Sequence, residues 1–413
     1  MTTDQARHPV EAPERIVVVG AGQAGLSVAA RLRQLGFAGS LTLIGDEATP
    51  PYQRPPLSKT YLKRELAPSR LLLRDPGYFR REGIELVLTS AVLAIDARTR
   101  TVALADRKLG YDTLILATGG RPQHLPGATG GTLPGLHYLR SREDADNLAR
   151  SLDGARSVFI VGGGYVGLET AASARQMGKA VTLIEAAPRI LARVASVQTA
   201  DYFRQLHRTR GVTLIEGVGI GELRFREGKG FAALLTDGLK IEADIVVVGI
   251  GMRPATELAA DCGLKIDNGI WVDDRGRTSD PYIWAAGDCC SFPFEGRRIR
   301  LESVPHASDQ ANVIAANILG ADQPYVARPW FWSDQYDVKL QIAGLGHDYD
   351  DVVAVRGASP GQQANWYFQN GRLIAVDAIN DPRSYMRARK IIEAGGTIDM
   401  AELISRQPTP IHA

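Results

Sequence analysis

Two glycine-rich strings carry the plainest chemistry in this chain: Gly20-Ala21-Gly22-Gln23-Ala24-Gly25 and Gly162-Gly163-Gly164-Tyr165-Val166-Gly167. In a G-x-G-x-x-G loop the first glycine permits a tight turn, the second lets the backbone approach a pyrophosphate, and the third lets a helix pack closely on a strand. A pyrophosphate held there rests on the positive end of the helix, where backbone N–H groups lack partners. One such string is weak by itself. Here each follows an apolar run, Ile16 to Val19 or Val158 to Val161, precedes a helical stretch, and leads to a second apolar run with an acidic residue at its end. Two dinucleotide sites are expected, one on Gly20, Gly22, Ala24 and Gly25, the other on Gly162, Gly164, Tyr165, Val166 and Gly167.

The acidic residues choose the nucleotide. Glu185 directly follows the run Val181 to Ile184, where a carboxylate accepts hydrogen bonds from both ribose hydroxyls and repels a 2′-phosphate. NADH is favoured. Arg189 and Arg193 follow closely, and a guanidinium there could hold a 2′-phosphate, so NADPH stays open. In the first unit Asp46, with Glu47 beside it, takes the ribose role one residue later.

The elements that must position these loops read as β-α-β units. The first helix runs to about Gly36 before Leu41 to Ile44, and the second to about Met177 before Val181 to Ile184. Each unit is completed by a later apolar strand that ends in glycine: Leu114 to Leu116 before Ala117-Thr118-Gly119-Gly120, and Ile245 to Val248 before Gly249-Ile250-Gly251. Short alternating segments such as Ile84 to Ile95 predict a small antiparallel sheet laid over the main one. Ser303-Val304-Pro305 reads as a helix start, because serine caps well and proline is tolerated at the first helical position. Past about residue 325 the pattern changes to Trp330-Phe331-Trp332, with strands at Val338 to Ala343 and Leu373 to Ala378 and an amphipathic helix over Ser384 to Ala394. This reads as a third, α+β domain.

With 413 residues the chain exceeds what one core usually serves. Lys plus Arg number 48 against 46 Asp plus Glu, a net charge of +2, which gives no reason to expect nucleic acid or an anionic membrane. The first fifteen residues lack a secretory apolar core and no run approaches a membrane span, so a cytoplasmic location is expected. Cys262, Cys289 and Cys290 suit neither a disulfide framework nor a metal site. The last two read as small buried thiols.

Taken together, the two glycine motifs, Arg54-Pro55-Pro56-Leu57-Ser58-Lys59, Ala117-Thr118-Gly119-Gly120-Arg121-Pro122, Glu169, Ala286-Gly287-Asp288-Cys289, Glu302-Ser303-Val304-Pro305 and Pro329-Trp330-Phe331-Trp332-Ser333-Asp334-Gln335 resemble the two-dinucleotide-binding flavoproteins. Within these they resemble the NADH:ferredoxin reductases, the family of putidaredoxin reductase and the reductase components of aromatic dioxygenases. The resemblance implies an α/β fold of two Rossmann-like, glutathione-reductase-like domains plus the C-terminal α+β domain. FAD would be held by residues 1–121 and 250–325, NADH by 122–249, with 326–413 as the third domain. It further implies that Asp46 binds the FAD ribose, that Arg54, Lys59 and Arg140 contact the cofactor, that Val92 lies against its adenine half, and that Asp288 binds the ribityl chain. Ala117, Thr118, Gly119, Gly287, Glu302, Ser303 and Val304 belong to the same cofactor motifs, and Gly251 and Arg193 to the nicotinamide nucleotide side. Lys59 and Glu169 are expected to pair beside flavin N5.

Thiol-dependent relatives place cysteines after the first β-α-β unit, whereas here that segment reads Pro-Pro-Leu-Ser-Lys-Thr-Tyr. The resemblance therefore implies direct electron transfer to a two-iron two-sulfur ferredoxin, with Trp332 on the docking side and basic patches at Arg383, Arg387, Arg389 and Lys390, and at Arg297, Arg298 and Arg300, facing an acidic partner. A monomer is expected. One departure is Asn312, where a well-known family member has a basic docking residue. Two other readings stay open: a redox-sensing flavoprotein similar to apoptosis-inducing factor, and an NADH oxidase or quinone reductase.

Overall fold

The computed structural model describes residues 13–405, so the segment before Pro13, read above for export signals, lies outside the described residues. The described residues form two compact units, one of residues 13–52, 72–120 and 254–327, the other of 53–71, 121–253 and 328–405.

In the first unit five parallel strands lie in the order Ile283–Ala285, Thr113–Leu116, Arg15–Val19, Ser40–Ile44, Glu85–Val87. The central strands are buried on both faces, which is why they read as unbroken Val/Ile/Leu runs rather than alternating ones. The order of this sheet reverses at Arg15–Val19, and ligands of doubly wound sheets bind at the carboxyl ends of the strands at such a reversal. Part of the sequence reading fails here. The segment Ile84 to Ile95 is not a small sheet of its own: Glu85–Val87 joins the parallel sheet beside Ser40–Ile44, and only Ala94–Asp96 enters a three-stranded antiparallel sheet with Thr101–Ala103 and Lys108–Gly110. A short run with a polar first residue looks alike whether it edges a parallel sheet or forms a hairpin.

The second unit repeats the plan. Its parallel strands run in the order Val212–Glu216, Ala180–Glu185, Ser157–Val161, Ile245–Val248, Leu136–Tyr138. It also contains a five-stranded antiparallel sheet, in the order Trp330–Gln335, Val338–Gly344, Arg372–Ile379, Gln363–Gln369, Asp351–Arg356. The helix expected over Ser384 to Ala394 spans Pro382–Glu393, because Asp381 caps it through Ser384 N at 3.0 Å and Pro382 fills the first turn.

A buried carboxylate ties this sheet to the helix Val197–Thr209. Asp377 accepts from Thr199 Oγ1 at 2.7 Å and from the Tyr367 hydroxyl, and Tyr367 Oη accepts from Ser196 N at 2.9 Å. Burial pushes the Asp377 acid up to about 6. An acid raised in the folded state favours the protonated form, so its contribution to stability is complete below its ordinary value and is lost as pH rises through 6. Between pH 4 and 7 the unaltered protein is expected to lose about 2 kcal/mol relative to Asp377→Asn, most of what a shift of about two pH units carries. Melting midpoints of both proteins across that range check it, and parallel curves would refute it.

Candidate active site

The two glycine loops share one geometry. Gly20 and Gly162 adopt φ of +112° and +110°, and a Cβ on either would lie 2.1 or 2.3 Å from a carbonyl oxygen, of Ala117 and Gly249 respectively. Gly25 and Gly167 are forced by the helix passing over the first glycine, whose oxygen would lie 1.9 or 2.0 Å from an added Cβ. Gly22 and Gly164 differ: a Cβ there meets nothing within 4 Å. They are the caps of the helices Gln23–Gln34 and Tyr165–Gln176, and neither helix end is capped by a side chain. Open space over an uncapped helix end is the cradle a pyrophosphate needs, so the residues present fit a dinucleotide in each unit.

The different placement of the acidic residue after the second strand in the two units has a steric cause. Gly45 holds the place corresponding to Glu185, and its Cβ would lie 2.6 Å from Ala21 Cβ. In the second unit the bulk is exchanged, with Gly163 opposite Glu185 and an added Cβ on Gly163 lying 3.1 Å from Glu185 Cβ. Asp46 is accordingly the first acidic side chain available, and it is exposed, while Glu47 accepts from Tyr52 Oη at 2.6 Å. Glu185 is fixed by Gly163 N and Ala187 N, both at 2.7 Å. A carboxylate has about four lone-pair sites, so accepting capacity remains for ribose hydroxyls.

Other first-unit motifs converge on the first loop. Ala117 N donates to Val19 O at 2.7 Å, Thr118 Oγ1 to Ala255 O at 2.6 Å, and Gly119 turns at φ +66°. Gly287, at φ +82°, lies so close to Ala24 that an added Cβ would stand 2.8 Å from it, which brings Asp288 to the same end of the sheet. The helix Val304–Ile318 starts as expected, with Ser303 accepting from His306 N at 3.3 Å and Pro305 in the first turn. Gln23 of the first-loop helix donates to its Ser308 at 2.9 Å. Val92 packs on the cluster that holds Val19, Ile44 and Leu116. Glu302 is exposed and paired with Arg300. Cys289 and Cys290 are fully buried, their sulfurs 3.9 Å apart, and burial pushes the Cys290 thiol up.

In the second unit Lys59 Nζ lies 2.8 Å from Glu169 Oε2, and the glutamate is only 5% exposed. Helix and strand periodicities explain how Glu169 is reached. Tyr165, Glu169 and Ser173 are spaced four apart on one helix face, while Phe331, Ser333 and Gln335 alternate onto one strand face. Tyr165 packs on Phe331 with ring centroids 5.0 Å apart, Ser333 Oγ donates to Glu169 Oε1 at 2.7 Å, and Ser173 Oγ donates to Ser58 O at 2.7 Å. Ser58 Oγ donates to Glu169 Oε2 at 2.5 Å. Ser58, Ser333 and Gln335 lie inside motifs legible in the sequence, where nothing local marks them apart from their neighbours, and His207 sits in no motif.

Trp332 lies on the opposite strand face and stacks on Trp330 at 5.6 Å. Arg54 Nη1 donates to the Arg140 carbonyl at 2.7 Å. Arg193 is exposed beside Gly251, where an added Cβ would stand 3.3 Å from its guanidinium. Arg189 instead donates to the carbonyls of Ile190 and Ala195, and so serves its own loop. Val166 is exposed, and the buried Tyr165 hydroxyl has no hydrogen-bond partner among the described residues. The basic patches are partly neutralised: Arg387 pairs with Glu402 at 2.8 Å and Arg389 with Glu393 at 2.7 Å. Asn312 is exposed. Among the described residues no cluster could hold a metal, and no helix is long and apolar enough to cross a membrane.

The family model described as pyridine nucleotide-disulphide oxidoreductase matches residues 14–311, and the reductase C-terminal model matches 330–409. The chain is 43% identical to a ferredoxin–NAD(P)(+) reductase of Sphingomonas sp. over 93% of its own length and 94% of that protein's. It belongs to the pyridine nucleotide-disulphide oxidoreductases, in their ferredoxin reductase family. Putidaredoxin reductase of Pseudomonas putida is 40% identical over 93% of this chain and 92% of the relative. Among solved structures, the ferredoxin reductase for the CYP199A2 system of Rhodopseudomonas palustris superposes with a TM-score of 0.91 at 37% identity, covering 94% of this chain and 97% of the other. The reductase in a covalent putidaredoxin reductase–putidaredoxin complex gives 0.88 at 38% identity, covering 95% and 98%. As a ferredoxin reductase of this family the chain is an FAD- and NAD(H)-dependent oxidoreductase.

Proposed function

We propose that this chain carries electrons from NADH through FAD to a two-iron two-sulfur ferredoxin that serves a monooxygenase or dioxygenase, acting as a cytoplasmic monomer. The observation that carries the reading is the buried Lys59–Glu169 pair, whose lysine lies in the thiol-free segment Pro55 to Tyr61. Bound FAD supplies the connection, because it takes electrons as a pair and releases them singly. Residues 1–121 and 250–325 would hold it, through the first loop, Asp46, Val92, Ala117, Thr118, Gly119, Gly287, Asp288 and the helix start at Glu302, Ser303 and Val304, with Arg54, Arg140 and Lys59 contacting it. The positive end of the helix beginning at Val304 suits the negative charge that reduction places on the pyrimidine edge.

Residues 122–249, with Gly251, would hold NADH, with Gly164 under the pyrophosphate and Glu185 on the ribose. Glu185→Ala is expected to raise KM for NADH about tenfold, the loss of hydrogen bonds to a charged group, and to narrow the preference over NADPH, which the exposed Arg193 can then assist. An unchanged NADH to NADPH ratio would count against this role for Glu185. Residues 326–413 would present Trp332 toward the ferredoxin, where an indole is a good anchor.

Steady-state turnover tests the function. Rapid NADH-driven reduction of ferricyanide and of a two-iron two-sulfur ferredoxin, with slow oxygen consumption, is expected. Rapid oxygen or quinone reduction, or a long-lived reduced charge-transfer complex with little turnover, would overturn it.

A further inference from the structure

Glu169 is the end of a longer hydrogen-bonded chain. Ser333 Oγ donates to it, Gln335 Nε2 lies 3.2 Å from Ser333 Oγ, Gln335 Oε1 lies 2.8 Å from His207 Nε2, and His207 Nδ1 lies 3.4 Å from Tyr336 Oη. Ser333, Gln335 and His207 are each fully buried. Tyr336 sits at the hairpin turn, at φ +56°, with the Arg210 guanidinium 5.3 Å from its ring centre.

The direction of this chain follows from what each group can do. A carboxylate paired with an ammonium only accepts, so Ser333 must donate to it. The Ser333 oxygen then accepts from the Gln335 amide N–H, which leaves the Gln335 oxygen to accept in turn. His207 Nε2 must therefore carry a hydrogen. Burial holds the His207 ring down to about 4, so it is neutral near pH 7, with its one hydrogen on Nε2 and Nδ1 accepting from Tyr336. Were the hydrogen on Nδ1, Gln335 would turn its amide N–H toward the ring and its oxygen toward Ser333. The serine hydrogen would then leave Glu169.

We infer that His207, acting through Gln335 and Ser333, is a positioning residue that sets the orientation of Glu169 and hence of the Lys59 ammonium. This rests on the reading of the Lys59–Glu169 pair given above. The strand that presents Trp332 on one face thereby anchors the pair from its other face.

Variants of the full-length, FAD-loaded protein test the inference. Gln335→Glu preserves shape and, assayed at alkaline pH where its carboxyl is ionised despite burial, can only accept, so it draws the Ser333 hydrogen away from Glu169; His207→Leu removes the donor at the head of the chain; His207→Gln keeps one. At saturating NADH, Gln335→Glu and His207→Leu are expected to bleach the flavin about tenfold more slowly, as for loss of a hydrogen bond to a charged group, with KM for NADH and FAD content unaltered, whereas His207→Gln retains most of the rate. Independently of turnover, nitrogen-15 NMR of the histidine rings, assigned by the signal missing from His207→Gln, is expected to show His207 protonated on Nε2. Ser333→Ala, which removes only the last donor, stands in should Gln335→Glu fail to fold. A ring protonated on Nδ1 overturns the inference, as does full-rate bleaching in Gln335→Glu and His207→Leu while Glu169→Ala is slow. Full-rate bleaching in Glu169→Ala removes the role of the pair itself, and this inference with it.

Discussion

Gly22→Val is expected to yield a folded protein that purifies colourless. A Cβ at Gly22 meets no atom of the protein within 4 Å, so the fold has no reason to resist it. The valine would instead fill the space over the uncapped end of the helix Gln23–Gln34. Pushing the backbone donors off a phosphate forfeits at least two charge-assisted hydrogen bonds of roughly 1.5 kcal/mol or more each, which is about a hundredfold in FAD affinity. The sister change Gly164→Val should leave the protein yellow and raise KM for NADH by about the same factor. Absorbance of the purified proteins and titration with FAD settle the first, and steady-state kinetics the second. A yellow Gly22→Val protein with unaltered affinity would remove FAD from the first loop.

The second large effect belongs to Glu169→Ala. Lys59 is 14% exposed, and without Glu169 its ammonium keeps, among the described residues, the Pro55 carbonyl at 3.1 Å. Breaking a buried pair from one side costs about 3–5 kcal/mol, because the remaining charge stays buried. The ammonium would then relax toward water and leave its place, and bleaching of the flavin by NADH is expected to slow by about ten- to a hundredfold, the loss of one preorganised electrostatic group. Glu169→Gln separates charge from shape: it can still accept from Ser333 but no longer neutralises Lys59. Stopped-flow bleaching at saturating NADH reads both, and full rates in both variants would show that the pair has no part in the reaction.

Much of the architecture is legible along the chain because its determinants are local. A glycine with a carbonyl 2 Å from where its Cβ would be cannot be replaced, so each glycine loop writes its geometry into residue types at fixed spacing. The doubly buried strands announce themselves as apolar runs for a similar reason. The segment Ile84 to Ile95 divides between two sheets, against its local pattern, because pairing partners decide which sheet a short strand joins.

What the sequence by itself determined is the set of parts: two β-α-β units, their glycine turns, the acidic residues Glu185 and Asp46 at the ends of the second strands, and a thiol-free segment around Lys59. What only the tertiary structure decided is how side chains distant in sequence meet. Ser333 and Gln335 lie more than 120 positions from Glu169 and His207, and nothing local marks them as partners. They meet because a helix advancing four residues at a time and a strand advancing two present their side chains at nearly equal intervals, so one face can be laid against the other. Burial then requires each polar group in that seam to find a partner.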